Sequence, residues 1–562
     1  MITTKIKHVA SFANLCVANG IKTVVISPGS RNAPLVTAFE SHPAIKTYLV
    51  HDERVAAFMA LGMAETFGEP VIITCTSGSA PLNYAGAIVE AYYRQIPLFV
   101  VTADRPPELI DQGDGQTIRQ RNVFANYIKD SFELPASPNE IERSNQIARE
   151  AIQSLISIPT GPVHLNVPLY EPLYEREEFN DQNSDVQVEP LVANNWSKQD
   201  LKEIEEIWKN SQKVLIIIGQ NPNDGLLESL APLLERPEVA VLVENTSNLV
   251  HFGKIVHSID RTLAKIEDSE LVMYSPDLII STGGAIISKR IKRYLRDFSP
   301  AHNWRVGQYL IKEDTYQSLT KMIVSPPKTL FNFLAGIDKV VDSNYGNKWK
   351  QKDLMAQVGH EGFLSQETDF SDLKVFELLL DYLPENSNLH MGNSSVVRYC
   401  QLFNPIKSIR YFSNRGVSGI DGSLSTAVGC AIKTPNKLNT VILGDISFVY
   451  DSNGLWINEL PSNLRIIVVN NGGGGIFKIL PDARNSEHKD RFYAPHNPKI
   501  AGICEAFNVV HKVANSLNEL EEAMLSFYHI PEHDRPILLE VNTSEIESQL
   551  VLDRYFKFIA DN

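Results

Sequence analysis

Short runs of β-branched and other apolar residues recur along this sequence, and the first of them end in loops rich in Gly, Pro and Ser. The first three runs are residues 23–26, 71–74 and 97–102. Amphipathic stretches that fit helices, 53–67 and 83–94, separate these runs. Buried runs that alternate with helices are typical of βαβ units with parallel strands. The pattern therefore predicts an α/β fold with doubly wound, mainly parallel sheets, in which ligands bind beyond the carboxyl ends of the strands.

The chain has 562 residues, which is too long for one hydrophobic core, because single cores stop growing at about 250–300 residues. The polar, acidic stretch 168–198 is typical of a linker, and a second polar stretch, 342–372, closes the α/β unit that follows it. We therefore predict three α/β domains, at residues 1–180, 195–345 and 365–562. Further strands are predicted at 214–218, 239–243 and 278–281 in the second domain, and near 441–443, 465–469 and 537–541 in the third.

The charge balance argues against two classes of partner. Asp and Glu number 67 against 52 Lys and Arg, which gives a formal net charge of −15. Nucleic acids and anionic membrane surfaces attract basic proteins, so we expect neither as a partner. The five cysteines include no Cys-x-x-Cys pair, which predicts no disulfide framework and a reducing, cytoplasmic location. We also expect neither a signal peptide nor a membrane-spanning segment.

Two apolar runs of the third predicted domain end in oxygen-bearing side chains. Residues 440–443 lead into Gly444 and Asp445, and residues 466–469 lead into Asn470 and Asn471. If the two strands are parallel neighbours, the Asp445 carboxylate and the Asn471 amide oxygen converge at one sheet edge. Hard oxygen ligands of this kind suit a Mg²⁺ ion that also holds a diphosphate. The alternative is a pair of turns that need Asp and Gly only for their backbone shape.

Glu53 follows a strand-like run at 47–50 and begins the predicted helix 53–67. A carboxylate at the end of a strand can act as a general acid or base. The alternative is an acidic residue of the first helical turn that is favoured only by the helix dipole.

Several cations stand in turns, although the chain as a whole is acidic. They are Arg31, Arg105, Lys289, Arg398 and Arg415. Arg binds carboxylates through two parallel hydrogen bonds, so the set predicts a pocket for an anionic small molecule. For each residue alone, a surface ion pair is the alternative.

These segments resemble one family of thiamine-diphosphate enzymes. The pair Gly444-Asp445 followed by Asn470-Asn471 is similar to the thiamine-diphosphate motif of that superfamily, and Glu53 stands where the superfamily keeps its glutamate. Residues 104–108 and 413–422 resemble strings that are specific to the 2-succinyl-5-enolpyruvyl-6-hydroxy-3-cyclohexene-1-carboxylate synthases, the MenD family. One departure is Gly472, where members of the family often carry a polar residue.

The resemblance implies three domains, which are in chain order a pyrimidine-binding domain, a central domain and a diphosphate-binding domain. It also implies a cofactor held between the first domain of one subunit and the third domain of another, so that the active form is at least a dimer. The implied activity is that of a transferase of menaquinone biosynthesis, which decarboxylates 2-oxoglutarate and adds the succinyl unit to isochorismate. The implied cofactors are thiamine diphosphate and Mg²⁺, or Mn²⁺ in its place.

The resemblance also implies a role for individual residues. Glu53 would be the catalytic carboxylate on the aminopyrimidine ring, and Ile420 the apolar wedge beneath the bent cofactor. The implied metal ligands are Asp445, Asn471 and the carbonyl oxygen of Gly473. The implied cofactor-binding residues are Glu53, Ser394, Gly419, Ile420, Gly444, Asp445, Ile476 and Phe477. The implied substrate-binding residues are Ser30, Arg31, Arg105, Gln116, Lys289, Ser394, Arg398, Arg415, Phe477 and Leu480.

Two other functions compete with this one. The first is another thiamine-diphosphate-dependent 2-oxoacid decarboxylase or an acetohydroxyacid-type synthase that uses pyruvate. A pyruvate site needs fewer cations, and such enzymes commonly lack the strings at 104–107 and 414–415. The second is a binding or regulatory protein with an inactive site, which would predict the loss of Glu53, Asp445 or Asn471. All three residues are present.

Overall fold

The computed structural model of the chain describes residues 1–137, 139–179, 186–191, 196–220, 225–309, 311–529, 535–543 and 547–562. These residues form two compact units. Unit 1 comprises residues 1–192, 416–436 and 450–464, and unit 2 comprises residues 193–415, 437–449 and 465–562. The division into three domains stays a prediction.

The strands alternate with helices along most of the chain. In chain order the strands are β1 (Ile2–Thr4), β2 (Thr23–Ile26), β3 (Lys46–Leu49), β4 (Val71–Cys75), β5 (Leu98–Asp104), β6 (Ser131–Glu133), β7 (Val163–Pro168), β8 (Arg176–Glu178), β9 (Val214–Ile218), β10 (Val239–Val243), β11 (Leu278–Thr282), β12 (His302–Val306), β13 (Lys321–Ile323), β14 (Asn388–Met391), β15 (Arg410–Phe412), β16 (Asn439–Gly444), β17 (Leu464–Asn470), β18 (Val510–Ala514) and β19 (Ile537–Asn542).

The helices are α1 (Lys7–Ala18), α2 (Ala33–Ser41), α3 (Glu53–Phe67), α4 (Ala80–Asn83), α5 (Ala85–Arg94), α6 (Ile141–Ile156), α7 (Lys198–Asn210), α8 (Leu226–Leu234), α9 (Ile259–Ala264), α10 (Lys289–Asp297), α11 (Pro327–Ala335), α12 (Tyr345–Leu364), α13 (Asp372–Asp381), α14 (Ser395–Cys400), α15 (Ser423–Lys433), α16 (Asp445–Tyr450), α17 (Ile476–Ile479), α18 (Pro481–Arg484), α19 (Lys489–Tyr493), α20 (Ile500–Ala506), α21 (Leu517–Phe527) and α22 (Ser548–Asp561).

Unit 1 is built on a parallel sheet with the strand order β3-β2-β4-β5-β7-β6. Strands β2, β4, β5 and β7 are buried along their whole length, as expected for a sheet covered by helices on both faces. The loops that follow β2 and β5 carry predicted site residues. These loops lie beyond the carboxyl ends of the strands, which is where ligands bind in sheets of this kind.

Helix α3, which begins at Glu53, packs closely against α15 within unit 1. A Cβ on Gly62 would lie 2.0 Å from the carbonyl oxygen of Thr426, and a Cβ on Gly429 would lie 2.0 Å from that of Met59. Only glycine allows the two backbones to approach this closely. The contact fixes the position of the helix whose first residue is Glu53.

Unit 2 contains two sheets with mainly parallel strands. One sheet has the strand order β10-β9-β11-β12-β13, and the other has the order β15-β14-β16-β17-β19-β18. Strands β16 and β17 are neighbours in the second sheet, so Asp445 and Asn471 follow two adjacent strands.

The α/β class and the mainly parallel sheets are confirmed. Strands β2, β9 and β10 and helix α3 have the predicted bounds. The helix predicted at 83–94 is found as α5 over 85–94, and Asn83 instead ends the short helix α4.

The two polar stretches contain regular structure. Within 168–198, strand β8 pairs antiparallel with β1, while residues 180–185 and 192–195 lie outside the described residues. Most of 342–372 is helix α12, which buries Trp349 and Phe363 in apolar core clusters.

All five cysteines lie in the described ranges, are buried and form no disulfide bond there. In the part of the chain that the structure describes, no helix combines the length and the apolar character that crossing a membrane requires.

Candidate functional site

Glu53 is the first residue of α3, directly after the residue that caps this helix. Asp52 accepts hydrogen bonds from the backbone N–H groups of Arg54 (2.9 Å) and Val55 (3.3 Å), which satisfies the free donors of the first turn. The Glu53 side chain is half-buried, and its Oε2 accepts a hydrogen bond from Asn83 Nδ2 at 3.3 Å. Asn83 carries no motif that would have identified it from sequence.

The residues around Glu53 are anchored on the segment 450–456 of the same unit. Asp52 Oδ2 accepts a hydrogen bond from Asn453 Nδ2 at 2.9 Å. Arg54 donates to the carbonyl oxygen of Tyr450 at 2.8 Å and lies 4.0 Å from Asp451 Oδ1. The ring of His51 stacks on Trp456 with centroids 4.8 Å apart. Glu53 therefore lies between neighbours that cannot move independently of this segment.

Arg31 and Arg105 lie near each other beyond the carboxyl ends of β2 and β5. Arg31 is buried and donates to the carbonyl oxygen of Leu169 (3.0 Å) and to Glu171 Oε1 (3.2 Å). Arg105 donates to the carbonyl oxygen of Gly115 at 3.1 Å. The Nε atoms of both arginines are buried and have no hydrogen-bond partner among the described residues.

The pKa values of this region report its electrostatics. Burial and the charge of Arg105 lower the pKa of Arg31. Burial also raises the pKa of the neighbouring Asp104 to about 6, although Asn166 and the Arg105 N–H donate to its carboxylate. Two guanidinium groups that lie close together, of which Arg31 also has Glu171 as an ionic partner, create a positive field that favours binding of an anion.

The other predicted residues of unit 1 are more exposed. The Ser30 hydroxyl lies 3.1 Å from the Tyr174 hydroxyl, and the Gln116 carbonyl oxygen accepts a hydrogen bond from Ser77 Oγ at 2.8 Å. Gly419 and Ile420 belong to the turn before α15 and are half-buried. This turn is tied down by the Glu90 carboxylate, which accepts the N–H groups of Gly416 and Val417 at 2.8 Å.

In unit 2, Asp445 and Asn471 each present a buried oxygen that lacks a hydrogen-bond partner among the described residues. These atoms are Asp445 Oδ2 and Asn471 Oδ1. Asp445 is almost fully buried, and its Oδ1 accepts the Ile446 N–H at 2.8 Å. Burial raises the pKa of Asp445, which the nearby His496 and the Ile446 N–H partly offset. His496 Nε2 lies 3.1 Å from Oδ2, but its geometry does not form a hydrogen bond, so the contact is electrostatic only.

The turn after β17 is shaped by glycine. Gly472 has a φ of 78°, in the left-handed region, and its carbonyl oxygen accepts the His496 N–H at 3.2 Å. A Cβ on Gly473 would lie 2.7 Å from the carbonyl oxygen of Tyr493. Tyr493 in turn donates its hydroxyl to the carbonyl oxygen of Asn471. No sequence motif marks His496 or Tyr493, so neither residue was predicted.

These atoms fit a hard divalent cation. A buried carboxylate oxygen and a buried amide oxygen with unmet bonding capacity are oxygen donors of the kind that Mg²⁺ prefers. Within the described residues, no group of three or more His, Cys, Asp or Glu side chains could hold a metal ion. A metal here would therefore depend on Asp445 together with amide and backbone oxygens, as the sequence predicts.

A second group of cations lies elsewhere in unit 2. Arg415 is buried and donates to Asn393 Oδ1 at 2.6 Å. Arg398 is half-buried and donates to the carbonyl oxygen of Ser394. Ser394 has a φ of 72° and a ψ of −123°, which is a strained conformation for a residue other than glycine. Strain of this kind concentrates at functional sites.

Lys292 joins Arg398 and Arg415 around the buried carboxylate of Glu244. Burial lowers the pKa of Lys292, the charge of Glu244 opposes this, and Arg415 and Arg398 lower it further. Burial raises the pKa of Glu244 to about 7, although the N–H groups of Ile287 and Ser288 donate to it. Lys292 lies one helical turn after the predicted Lys289, which is exposed at the start of α10. The i, i+3 spacing was the signal that could have identified it.

The predicted apolar wall follows the glycine turn. Ile476 and Phe477 begin the short helix α17, and Leu480 follows it. Phe477 is 36% exposed and lies 6.2 Å, between ring centroids, from Phe492. Phe477 thus leaves part of an aromatic ring exposed at the glycine turn, where it could contact an apolar part of a ligand.

Comparison with known proteins identifies two matching domain families. The thiamine pyrophosphate enzyme N-terminal TPP binding domain matches residues 6–126. The thiamine pyrophosphate enzyme C-terminal TPP binding domain matches residues 391–541. The first range contains Glu53, Arg31 and Arg105, and the second contains Asp445 and Asn471.

The chain is similar over nearly its whole length to proteins named 2-succinyl-5-enolpyruvyl-6-hydroxy-3-cyclohexene-1-carboxylate synthase. The protein of Flavobacterium johnsoniae is 41% identical over 569 residues, which covers 99% of this chain and 100% of that one. The protein of Christiangramia forsetii is 42% identical over 580 residues, with 99% of each chain covered. That of Bacteroides thetaiotaomicron is 35% identical over 559 residues, with 98% of each covered.

Among solved structures, benzoylformate decarboxylase from Polynucleobacter necessarius is similar with a TM-score of 0.70. It covers 96% of this chain and 99% of its own, at 18% identity. This likeness concerns the fold alone.

Proposed function

This chain belongs to the family of 2-succinyl-5-enolpyruvyl-6-hydroxy-3-cyclohexene-1-carboxylate synthases, and we propose that it is the thiamine-diphosphate-dependent carboligase of menaquinone biosynthesis. It removes CO₂ from 2-oxoglutarate and joins the remaining succinyl unit to isochorismate. The observation that carries the proposal is the identity of 41% and 42% to synthases of this name over 99% of the chain.

We propose that Asp445, Asn471 and the carbonyl oxygen of Gly473 hold Mg²⁺, or Mn²⁺ in its place, and that the metal holds the diphosphate. The buried oxygens Asp445 Oδ2 and Asn471 Oδ1 support this proposal, because each lacks a hydrogen-bond partner among the described residues. The further cofactor-binding residues are Glu53, Ser394, Gly419, Ile420, Gly444, Ile476 and Phe477. Bound thiamine diphosphate would supply a ring carbon that becomes nucleophilic on losing its proton, and a positively charged thiazolium ring that takes up the electron pair left when CO₂ departs.

Glu53 holds a proton against the aminopyrimidine ring in this proposal. A carboxylate acts as a general acid or base only if it stays within hydrogen-bond reach of one atom. The anchoring of Asp52 and Arg54 on Asn453 and Tyr450 supports this role, since it restricts the start of α3.

The two substrates are dicarboxylates, and the residues that we propose to bind them include cations and polar groups in each unit. Arg31 and Arg105 in unit 1, and Arg398 and Arg415 in unit 2, supply guanidinium groups that are buried or half-buried. Low exposure strengthens each charge–charge contact with a carboxylate. The remaining substrate-binding residues that we propose are Ser30, Gln116, Lys289, Ser394, Phe477 and Leu480.

We further propose that the chain acts in the cytoplasm as a homo-oligomer of at least two copies. Its pyrimidine-binding, central and diphosphate-binding domains would span 1–180, 195–345 and 365–562. Mixing two inactive variants, Glu53→Gln and Asp445→Ala, tests whether different copies supply the two halves of each site. Heterodimers would then contain one intact site, and activity would return to about a quarter of the wild-type value. No recovery after refolding of the mixture would contradict shared sites.

The activity itself is tested by following the loss of isochorismate spectrophotometrically. The mixture contains the protein, thiamine diphosphate, Mg²⁺ and 2-oxoglutarate, with each component omitted in turn and pyruvate as a competing donor. We expect loss of isochorismate only in the complete mixture. Loss with pyruvate but not with 2-oxoglutarate would instead indicate an acetohydroxyacid-type synthase.

A further inference from the structure

The two ends of the Asn471 side chain have different surroundings. Its Nδ2 donates a hydrogen bond to Asp372 Oδ2 at 3.2 Å, whereas its Oδ1 is buried and has no hydrogen-bond partner among the described residues. Neither a carboxylate oxygen nor an amide oxygen can donate a hydrogen bond. The amide nitrogen of Asn471 must therefore be the end that faces Asp372. Asp372 thereby determines which end of the amide is left for another ligand.

Asp372 is itself held in place. It is the first residue of α13 and is 4% exposed. Its Oδ1 accepts a hydrogen bond from Thr543 Oγ1 at 2.6 Å, and its backbone N–H donates to Ser548 Oγ at 2.9 Å. With one oxygen bound by Thr543, the carboxylate keeps its other oxygen directed at Asn471.

Further contacts restrict Asn471. A Cβ on Gly475 would lie 2.6 Å from Asn471 Nδ2, so the glycine leaves room for the amide in its present position. The Tyr493 hydroxyl binds the backbone carbonyl oxygen of Asn471 and fixes the residue from a second direction. The amide is therefore oriented by its surroundings and not by chance.

On the basis of the proposed function, we propose that Asp372 is a positioning residue that turns the Asn471 amide so that its oxygen, and not its nitrogen, is offered to the metal ion. Asp372 does not touch the metal or the substrates in this role. Residues that orient a metal ligand typically change metal affinity about 10–100-fold when they are replaced.

The first test is Asp372→Asn, which keeps the shape of the side chain. An amide at position 372 can face Asn471 with either end, so the ligand loses its single orientation. We expect the affinity for Mg²⁺, titrated calorimetrically in the presence of thiamine diphosphate, to fall at least about tenfold. The matched control is Asp353→Asn, because Asp353 accepts a side-chain hydrogen bond from Thr262 in unit 2 without touching Asn471. We expect Mg²⁺ affinity of the wild-type level for this control.

The second test exchanges the two side chains in the double variant Asp372→Asn/Asn471→Asp. The amide at position 372 then donates to one oxygen of the new carboxylate and leaves the other oxygen for the metal. We expect Mg²⁺ affinity to return to within about threefold of the wild-type value, since coupled neighbours give non-additive effects. A merely structural role for Asp372 predicts no such rescue.

The outcomes are distinguishable. Unchanged Mg²⁺ affinity in folded Asp372→Asn, or failure of the exchange to restore it, would overturn the positioning role and leave the proposed function standing. Absence of Mg²⁺-dependent cofactor binding in the wild type would overturn both. If Asp372→Asn does not fold, Thr543→Val tests the same link, because it keeps the carboxylate and removes the donor that fixes it. A loss of about threefold is then expected, and no loss would overturn the role.

Discussion

The guanidinium group of Arg54 lies over the ring of Tyr450, 4.8 Å from its centroid, and donates a hydrogen bond to the carbonyl oxygen of the same residue. This pair fixes the first turn of α3 from the residue next to Glu53. The packing of α3 on α15 places the helix, whereas Arg54 orients its end. The position of the Glu53 carboxylate therefore depends on Arg54, a residue that need not touch any substrate.

We expect Arg54→Met to lower kcat about tenfold and to leave KM for 2-oxoglutarate within about twofold, because small displacements of a catalytic group reduce the rate more than binding. Methionine keeps much of the apolar contact with Tyr450 and removes the hydrogen bond and the charge. Steady-state kinetics with circular dichroism as a check on folding measures the effect. A proportional loss of kcat and of folded protein would indicate a structural role only.

Glu53→Gln should leave the fold and the Mg²⁺-dependent binding of thiamine diphosphate intact while turnover falls about 10²–10⁴-fold, since glutamine cannot exchange a proton. Calorimetry measures cofactor binding and isochorismate loss measures turnover. The matched control is Glu40→Gln, which changes a glutamate that only accepts a hydrogen bond from Thr47 on the protein surface. Turnover near the wild-type level in Glu53→Gln would remove this residue from the mechanism.

Asp445→Ala should weaken Mg²⁺-dependent cofactor binding at least about 100-fold, because it removes the carboxylate ligand. Titration of thiamine diphosphate at several Mg²⁺ concentrations measures the loss. Asp490→Ala serves as the control, because Asp490 is an exposed residue of α19 in the same unit. An unchanged dissociation constant for Asp445→Ala would refute the metal assignment.

Local sequence patterns predicted the features of this molecule that depend on residues close together in the sequence. The bounds of α3 and β9 follow from apolar periodicity, and Asp445 and Asn471 were placed at strand ends because polar residues follow buried runs there. Asp372, His496 and Tyr493 were not predicted. These residues are distant in the sequence from Asp445 or Asn471 but contact them in the fold. The periodicity of a sequence does not predict contacts of this kind.

Gly62→Ala should destabilise unit 1 by roughly 1–3 kcal/mol or more, because the added Cβ would lie 2.0 Å from the carbonyl oxygen of Thr426 and force α3 and α15 apart. The melting temperature and kcat should both fall, since α3 begins at Glu53. Gly502→Ala in α20 is the matched control. Nothing lies within 4 Å of a Cβ there, so this change should be neutral or stabilising by about 0.5–1 kcal/mol. Equal melting temperatures for the two variants would contradict the close helix contact.

The buried His8 should make the free energy of unfolding depend on pH, and a single substitution can isolate this effect. Burial lowers the pKa of His8 to about 4, and neither ring nitrogen has a hydrogen-bond partner among the described residues. The unfolded chain binds a proton at His8 below its ordinary pKa of about 6.5, whereas the folded chain does so only near 4, so this residue favours unfolding as the pH falls through that window.

Between pH 7 and pH 5 the contribution of His8 amounts to a loss of about 2 kcal/mol of stability. His8→Leu removes the titrating group and keeps the site apolar, so its melting temperature should fall less over this pH interval than that of the wild type. Calorimetric melting at pH 7, 6 and 5 measures the difference. Parallel curves for the two proteins would show that His8 does not titrate on unfolding. A difference that grows towards high pH would reverse the sign of the argument, because a buried neutral imidazole is favoured there.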